Sequence, residues 1–181
     1  HYTYDMDHGS LFQVWRGEFL NATPMWNNRG DGSSRPMGSV IHLGTPVIPI
    51  AQLSSEDTQW MKDTIGTSFK PNGYKMNDTK ELTFLYEAYG ASISDGISVL
   101  DNGHGLKREI QIQNNPGKLY FLLGQGNNIT EVSKGRYVID DKTYFLELEE
   151  GTSSKAMIRK GADQQELIIP VTESLVYTLL F

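Results

Sequence analysis

Apolar side chains recur at every second position through much of this chain, and this alternation most constrains its fold. In residues 106–113, Leu106, Ile110 and Ile112 share one face of an extended strand, and mostly polar residues share the other. Arg108 falls on the apolar face and interrupts it. A period of two is typical of a strand that is buried on one side. The segment therefore predicts a half-buried strand.

Further short strands are predicted at intervals of about 8–12 residues, with polar turns between them. Residues 82–88 continue the alternation, and so do residues 93–100, where Asp95 and Gly96 suggest a bulge or tight turn. Such a series predicts an all-β chain that forms an antiparallel β-sandwich of supersandwich or jelly-roll type. We expect residues 1–181 to form one sandwich domain, as part of a longer chain.

One short helix is expected within residues 56–65. Ser54 or Ser55 can cap its first turn, acidic residues follow the cap, and Gly66 can end it. The expected buried stripe of this helix consists of Trp60, Met61 and Ile65.

The composition excludes several classes of protein. The chain has 38% hydrophobic and 21% charged residues, which is typical of a globular domain. Its apolar runs are shorter than the roughly 18 residues of a membrane-spanning helix, so no membrane span is expected. A net charge of −6 argues against a nucleic-acid partner. Cysteine is absent, which excludes disulfides, Cys-ligated metals and thiol nucleophiles.

The segment of residues 21–38 is the main candidate for a binding site, because long loops in compact domains are often functional. Aromatic rings can stack on sugar C–H faces, while Asn, Asp and Arg bind the hydroxyls. The candidate ligand-binding residues are Trp15, Arg16, Trp26, Asn28, Arg29, Asp31 and Arg35. Alternatively, Trp15 and Trp26 belong to the core, and the arginines pair with Glu18 and Asp31 to brace the loop.

A catalytic function is a further alternative. A glycosidase needs two carboxyl groups that face each other across a cleft, and Glu18 and Asp31 are the first pair to test. No Gly-x-Ser-x-Gly elbow is present for a serine nucleophile. The favoured interpretation therefore assigns no catalytic residue.

A metal site is a weak alternative near the beginning of the sequence. Asp5, Asp7 and His8 are the candidate ligands, and closely spaced carboxylates suit Ca²⁺. Counting from Asp5, however, the twelfth position of a calcium loop holds Arg16 in place of an acid. We expect no cofactor, with Ca²⁺ as the alternative.

The first forty residues contain a Trp-x-Gly-x-Phe pattern and a later Trp-x-x-Arg-Gly pattern. The matching positions are Trp15, Gly17, Phe19, Trp26, Arg29, Gly30, Pro36 and Gly38. This segment resembles a β-rich segment of large bacterial envelope proteins that carry c-type cytochrome modules or 3-keto-disaccharide hydrolase modules of the family 16-like type. The resemblance implies a periplasmic or extracellular location and a place in a larger envelope complex.

These observations lead to three functional expectations. The first is a non-catalytic binding or assembly module of a secreted, carbohydrate-related or electron-transfer multidomain protein, whose partner is a glycan or a neighbouring protein domain. The second is a carbohydrate-active enzyme, either a glycoside hydrolase or a lyase. The third is a structural spacer domain.

Overall fold

The computed structural model describes residues 1–55, 57–149, 152 and 155–181, which are almost entirely strands and turns. A single turn of 3₁₀ helix spans Thr23–Met25. The strands are β1 (Tyr2–Asp5), β2 (Ser10–Asn21), β3 (Arg35–His42), β4 (Ile50–Gln52), β5 (Lys70–Met76), β6 (Leu82–Ala88), β7 (Ala91–Val99), β8 (Gly105–Gln113), β9 (Leu119–Gly126), β10 (Ile129–Ser133), β11 (Arg136–Ile139), β12 (Tyr144–Leu148), β13 (Met157–Lys160), β14 (Gln165–Val171) and β15 (Ser174–Leu180).

The strands form three sheets in which neighbouring strands are antiparallel. An 8-stranded sheet has the order β10-β11-β12-β15-β8-β7-β6-β5. A 4-stranded sheet has the order β13-β14-β9-β4, and a 3-stranded sheet has the order β1-β2-β3. The sequence-based prediction of an all-β, antiparallel sandwich is confirmed.

The two smaller sheets pack against the large sheet at different places. Tyr4 of β1 stacks on Phe84 of β6 with ring centroids 3.7 Å apart. Phe121 of β9 contacts Tyr177 of β15, with centroids 6.3 Å apart. Buried apolar side chains of all three sheets form one cluster. The sheets therefore close over one shared interior, as the alternating pattern requires.

The interior contains an ion pair on the apolar face of β8. Arg108 is 4% exposed and donates from Nε to Oδ1 of Asp95 over 2.8 Å. A second bond runs from its Nη1 to the hydroxyl of Tyr177 over 2.8 Å, and Tyr4 donates to Oδ2 of Asp95 over 2.9 Å. Burial, followed by the charge of Asp95, raises the pKa of Tyr4 well above its ordinary value.

The prediction of a bulge or tight turn at Asp95 and Gly96 is wrong, because β7 continues through both residues in unbroken register.

The short helix expected within residues 56–65 is also wrong for the described part of this segment, which forms turns and bends. Glu56 lies outside the described residues. Of the expected buried stripe, Met61 and Ile65 are exposed and Trp60 is buried.

Hydrogen bonds among its own side chains and to the loop before β4 explain why this segment is not helical. The hydroxyl of Thr58 lies 2.9 Å from the hydroxyl of Ser54, and it accepts from the backbone N–H of Ser55. Such local bonds compete with helix formation. Trp60 then donates from Nε1 to the carbonyl oxygen of Ile48 over 2.7 Å. This bond fixes the segment against the sheet in an irregular conformation.

Trp60 belongs to a second, smaller apolar cluster, separate from the shared interior. The cluster lies where Val47, Leu53 and Trp60 cover one face of the 4-stranded sheet, and it consists of Val47, Ala51, Leu53, Trp60, Leu122 and Ile168. The outer face of this sheet is therefore only partly exposed. The edge of this cover forms the cleft described below.

Candidate functional site

The residues singled out from the sequence lie on a long hairpin formed by β2 and β3. β1 pairs with β2 as far as Val14, whereas β2 and β3 remain paired out to Asn21 and Arg35. The far half of the hairpin is thus a two-stranded ribbon, and most of its side chains are exposed. Residues 22–34 form its tip.

Trp15 is buried at the base of this ribbon, with 1% of its surface exposed. Its indole Nε1 donates to the carbonyl oxygens of Glu18 over 3.0 Å and Phe19 over 3.2 Å. The expectation that its ring stacks on a ligand is therefore wrong, and Trp15 instead stabilises the hairpin.

Arg16 connects the ribbon to the body of the sandwich. Its Nη1 lies 2.8 Å from Nδ1 of His104, in the loop between β7 and β8. Because a guanidinium only donates, this His104 nitrogen must accept the hydrogen bond. The Arg16 guanidinium also lies 5.8 Å from the centre of the Phe181 ring. These contacts assign Arg16 a bracing role.

Trp26 is exposed at the tip of the hairpin, with 62% of its surface accessible. The guanidinium of Arg29 lies 5.3 Å from the centre of the Trp26 ring, and the Arg29 N–H donates to the Trp26 carbonyl oxygen. Asn28 has a φ of 63°, which reverses the chain between these two residues. The tip therefore presents an aromatic ring that is partly covered by a cation.

Asp31 and Arg35 form an exposed contact within the tip. The Asp31 carboxylate accepts from the hydroxyl and the backbone N–H of Ser33, at 2.5 and 3.1 Å, and from Arg35 at 3.0 Å. These bonds lower the pKa of Asp31 to about 2, and the two bonds from Ser33 have the largest effect. A carboxyl group with this pKa stays ionised near neutral pH and cannot act as a general acid.

Glu18 and Asp31 are the proposed catalytic carboxyl pair, and no hydrogen bond in the described part of the chain links them. Glu18 lies exposed on β2, opposite Met37 of β3. Asp31 lies in the tip and is occupied by Ser33 and Arg35.

Near the end of β1, Asp5 organises a turn. One of its carboxylate oxygens accepts from the backbone N–H of Asp7 over 2.9 Å, and the other lies 2.7 Å from Nδ1 of His8. Among the described residues, no group of three or more metal-binding side chains is arranged to hold an ion.

A cleft of about 160 Å³ lies where the segment around Trp60 meets the turn between β13 and β14. Apolar side chains form part of its wall, and amide, hydroxyl and charged groups form the rest. The lining residues are Thr45, Val47, Trp60, Met61, Lys62, Gln125, Ala162, Asp163, Gln164 and Glu166.

Two polar side chains of the cleft wall, Glu166 and Gln125, belong to a row across three neighbouring strands. Arg159 of β13 lies opposite Glu166 of β14, which lies opposite Gln125 of β9. Glu166 is 5% exposed, and its Oε2 accepts from Nε of Arg159 over 2.8 Å and lies 2.7 Å from Nη2. The ion pair fixes the position of a nearly buried carboxylate.

The aromatic wall of the cleft is also held in place. Besides the bond to Ile48, the Trp60 ring lies 5.7 Å from the guanidinium of Arg159. Nη1 of Arg159 donates to the carbonyl oxygen of Thr58 over 2.7 Å. Arg159 therefore links the polar row to the segment that carries Trp60.

A glycine makes room for the amide of Gln125. Gly44 has a φ of +139°, and a Cβ placed there would lie 2.9 Å from Oε1 of Gln125. A side chain at this position would press on the carboxamide. Gly44 thus permits Gln125 to reach the cleft.

An exposed ion pair joins the two sides of the cleft. Nζ of Lys62 lies 2.6 Å from Oδ2 of Asp163, and both side chains are at least 70% exposed. Exposed pairs of this kind contribute only about 0–1 kcal/mol. The pair can therefore open when a ligand enters.

Sequence reasoning missed the polar row of this cleft, although a signal was present. Arg159 shares its strand face with Met157, and Glu166 shares its face with Ile168, so both charges lie on the face that carries the second apolar cluster. A charge at such a position indicates a buried pair or a site. The sequence could not show that these strands are neighbours.

Comparisons with protein-family models, with curated proteins and with solved structures find no match to this chain. Within residues 1–55, 57–149, 152 and 155–181, no helix is both long and apolar enough to cross a membrane.

Proposed function

We propose that this chain is a non-catalytic binding module for a neutral carbohydrate, and that the cleft beside Trp60 holds one sugar ring. The observation that carries the proposal is the row formed by Glu166 and Gln125, which faces a fixed indole across a cleft of about 160 Å³. This volume is below the roughly 300–1,000 Å³ of sites for drug-sized ligands. It suits a small ligand.

The polar groups of the cleft suit hydroxyl groups. The amides of Gln125 and Gln164 each donate and accept, as a sugar hydroxyl does, and the hydroxyl of Thr45 has the same double capacity. The carboxylate of Glu166, which Arg159 holds in position, adds an acceptor to the lining of the cleft. The 8% of the Trp60 surface that remains exposed lines the cleft and offers an apolar contact for the C–H groups of a sugar ring.

The charges around the cleft favour a neutral ligand. Glu166 is paired with Arg159, and Asp163 is paired with Lys62. The positive and negative groups therefore compensate one another. A charged ligand would have to give up its hydration without gaining an unpaired opposite charge.

An activity assay separates binding from catalysis. Two carboxyl groups line the cleft: Asp163 is exposed on the turn, and Glu166 is nearly buried beside Arg159. Hydrolysis of a glycoside needs two carboxyl groups that face each other across the bond to be broken. We expect no turnover of nitrophenyl glycosides by the wild-type chain, and turnover that is lost in Glu166→Gln would replace the binding proposal with the enzyme alternative.

The affinity test uses isothermal titration with glucose, galactose, mannose, xylose and N-acetylglucosamine as probes. At least one probe should bind, and Gln125→Ala and Gln164→Ala should each weaken that binding by about 2- to 12-fold, since a hydrogen bond contributes about 0.5–1.5 kcal/mol. Gln113→Ala is the matched control, because Gln113 is exposed on β8 outside the cleft. Equal affinities for all three variants would contradict the assignment of the cleft.

A second function, assembly with another protein, is favoured by the projecting hairpin. Its exposed apolar side chains are Phe19, Met25, Trp26 and Met37, with exposed fractions of 62%, 57%, 62% and 47%. Exposed aromatic and methionine side chains on a projecting element are typical of protein contacts. This role fits the periplasmic or extracellular multidomain protein expected from the sequence.

The assembly function is tested with a photoreactive amino acid placed at Trp26 in cells that produce the protein naturally. A discrete protein adduct should form from position 26. Val132, 53% exposed on β10, is the control position. Adducts from both positions, or from neither, would argue against a specific contact at the hairpin.

A further inference from the structure

The cleft beside Trp60 continues into a second concave surface. This surface has a volume of about 340 Å³ and lies along the turn between β13 and β14. Ala162, Asp163 and Gln164 line both concavities. The turn therefore separates two adjoining spaces, and its residues contribute to each.

β9 and the residue that follows it supply a side chain to each space. Gln125 lines the cleft, and Asn127, two positions later, lines the second surface. Asn127 lies at a bend, directly after β9 ends at Gly126. The chain thus supplies one amide to each space where β9 ends.

The turn between the two spaces is tight and lies close to the cleft. The N–H of Gly161 donates to the carbonyl oxygen of Gln164 over 2.8 Å. A Cβ at Gly161 would lie 2.5 Å from Oε1 of Glu166, so only glycine lets the turn lie this close to the cleft. Ala162, at the exposed top of the turn, carries a small side chain. A ligand can therefore pass over the turn.

Hydrogen-bonding groups also line the second surface. Asn127 and Lys160 are exposed there, and Gln164 reaches it from the turn. Asn127 and Gln164 offer both donors and acceptors, whereas Lys160 offers donors only. The second surface thus has the same kind of polar group as the cleft, without an aromatic wall.

We infer that these two spaces are adjoining subsites, and that the ligand is a glycan of at least two sugar residues that crosses the turn at Ala162. This inference rests on the proposed binding function of the cleft. The first sugar residue lies against Trp60 and the Glu166–Gln125 row. The second lies over Asn127 and Lys160.

The test compares mono- and disaccharides by isothermal titration. The probes are glucose with maltose and cellobiose, xylose with xylobiose, and N-acetylglucosamine with chitobiose. One disaccharide should bind about tenfold more tightly than its monosaccharide, which corresponds to about 1.4 kcal/mol. The Asn127→Ala/Lys160→Ala double variant should lose this gain and keep the monosaccharide affinity, whereas Lys134→Ala, at an exposed lysine elsewhere, should keep both.

The outcomes separate the two proposals. Equal affinity for a monosaccharide and its disaccharide, or a disaccharide gain that survives in the double variant, would overturn the second subsite and leave the binding function standing. A chain that binds none of these saccharides would overturn the binding function, and the second subsite with it. Because Asn127 and Lys160 are exposed, the double variant should fold normally, and its circular dichroism spectrum checks this.

Discussion

At the scale of single residues, buried charges mark the places where this sandwich departs from a simple apolar core. Asp95 and Arg108 form an ion pair inside the shared interior, with Tyr4 and Tyr177 completing its hydrogen bonds. A buried pair of this kind contributes little net stability, but the loss of one partner leaves an uncompensated charge. The removal of either Asp95 or Arg108 alone should therefore destabilise the fold strongly.

Replacing Arg108 with methionine should lower the free energy of unfolding by about 3–5 kcal/mol, because it leaves the Asp95 carboxylate buried without its partner. Urea unfolding followed by circular dichroism measures this loss. Arg136→Met is the matched control, since Arg136 forms an ion pair with Glu147 at the surface. The control should lose no more than about 1 kcal/mol, and similar losses in both variants would show that burial of the pair has no special effect.

The carboxyl group of Asp31 should titrate with a pKa of about 2, below the ordinary value of 3.8, because Ser33 and Arg35 hold its ionised form. The stabilising effect of these bonds on the hairpin tip is fully present above pH 3.8 and is lost as the pH falls through about 2. Carbon NMR of the side-chain carboxyl measures the midpoint. Ser33→Ala should raise it, and Ser34→Ala should leave it unchanged. An Asp31 midpoint near 3.8 in the wild type would contradict the bonding described for the tip.

At the scale of strands and loops, the hairpin of β2 and β3 depends on a pair of glycines. Gly17 lies opposite Gly38, and a Cβ at Gly38 would lie 2.0 Å from the carbonyl oxygen of Arg16. The two backbones thus approach more closely than a side chain permits. Trp15 packs beside this point, since its Cδ1 would lie 3.1 Å from the same Cβ.

Gly38→Ala should therefore destabilise the hairpin by about 1–3 kcal/mol, as expected when an atom is forced into a packed site. Amide hydrogen exchange should become faster in β2 and β3 and remain unchanged in the 8-stranded sheet. Gly96→Ala on β7 is the matched control, because a Cβ there would lie 3.5 Å or more from its neighbours. Unchanged exchange in the hairpin of Gly38→Ala would show that the ribbon tolerates a wider separation.

The sequence predicted the strands better than it predicted the loops. Alternating side chains identified β8 because its burial is set by the strand period alone. The segment near Trp60 resembled a helix because its cap, acidic residues and glycine stop are local signals. Its true conformation depends on the bond from Trp60 to Ile48, a contact with another part of the chain that local patterns do not contain.

At the scale of the whole molecule, the cleft is assembled from segments that are far apart in the sequence. Thr45 and Trp60 come from the first third of the chain, Gln125 from β9, and Glu166 from β14. Only the antiparallel order β13-β14-β9-β4 makes these segments neighbours. The sequence alone therefore directed attention to residues 21–38, where aromatic and polar residues are also close in sequence.

The two exposed features of the molecule suit different partners. The cleft is concave, its charges compensate one another, and the amides of Gln125 and Gln164 line it, which favours a small polar ligand. The hairpin tip is convex and carries exposed apolar side chains, which favours a protein surface. A binding module that also docks through its hairpin would keep these two contacts apart.

The most direct test of the central claim is to map saccharide binding by NMR with the isotopically labelled chain. Each saccharide named above is added until the backbone amide shifts no longer change. We predict that the amides that shift with at least one saccharide belong to Thr45, residues 60–62, Gln125, Asn127 and residues 160–166, and that the amide of Trp26 does not move. Shifts centred on Trp26, or no shifts with any of the saccharides, would contradict it.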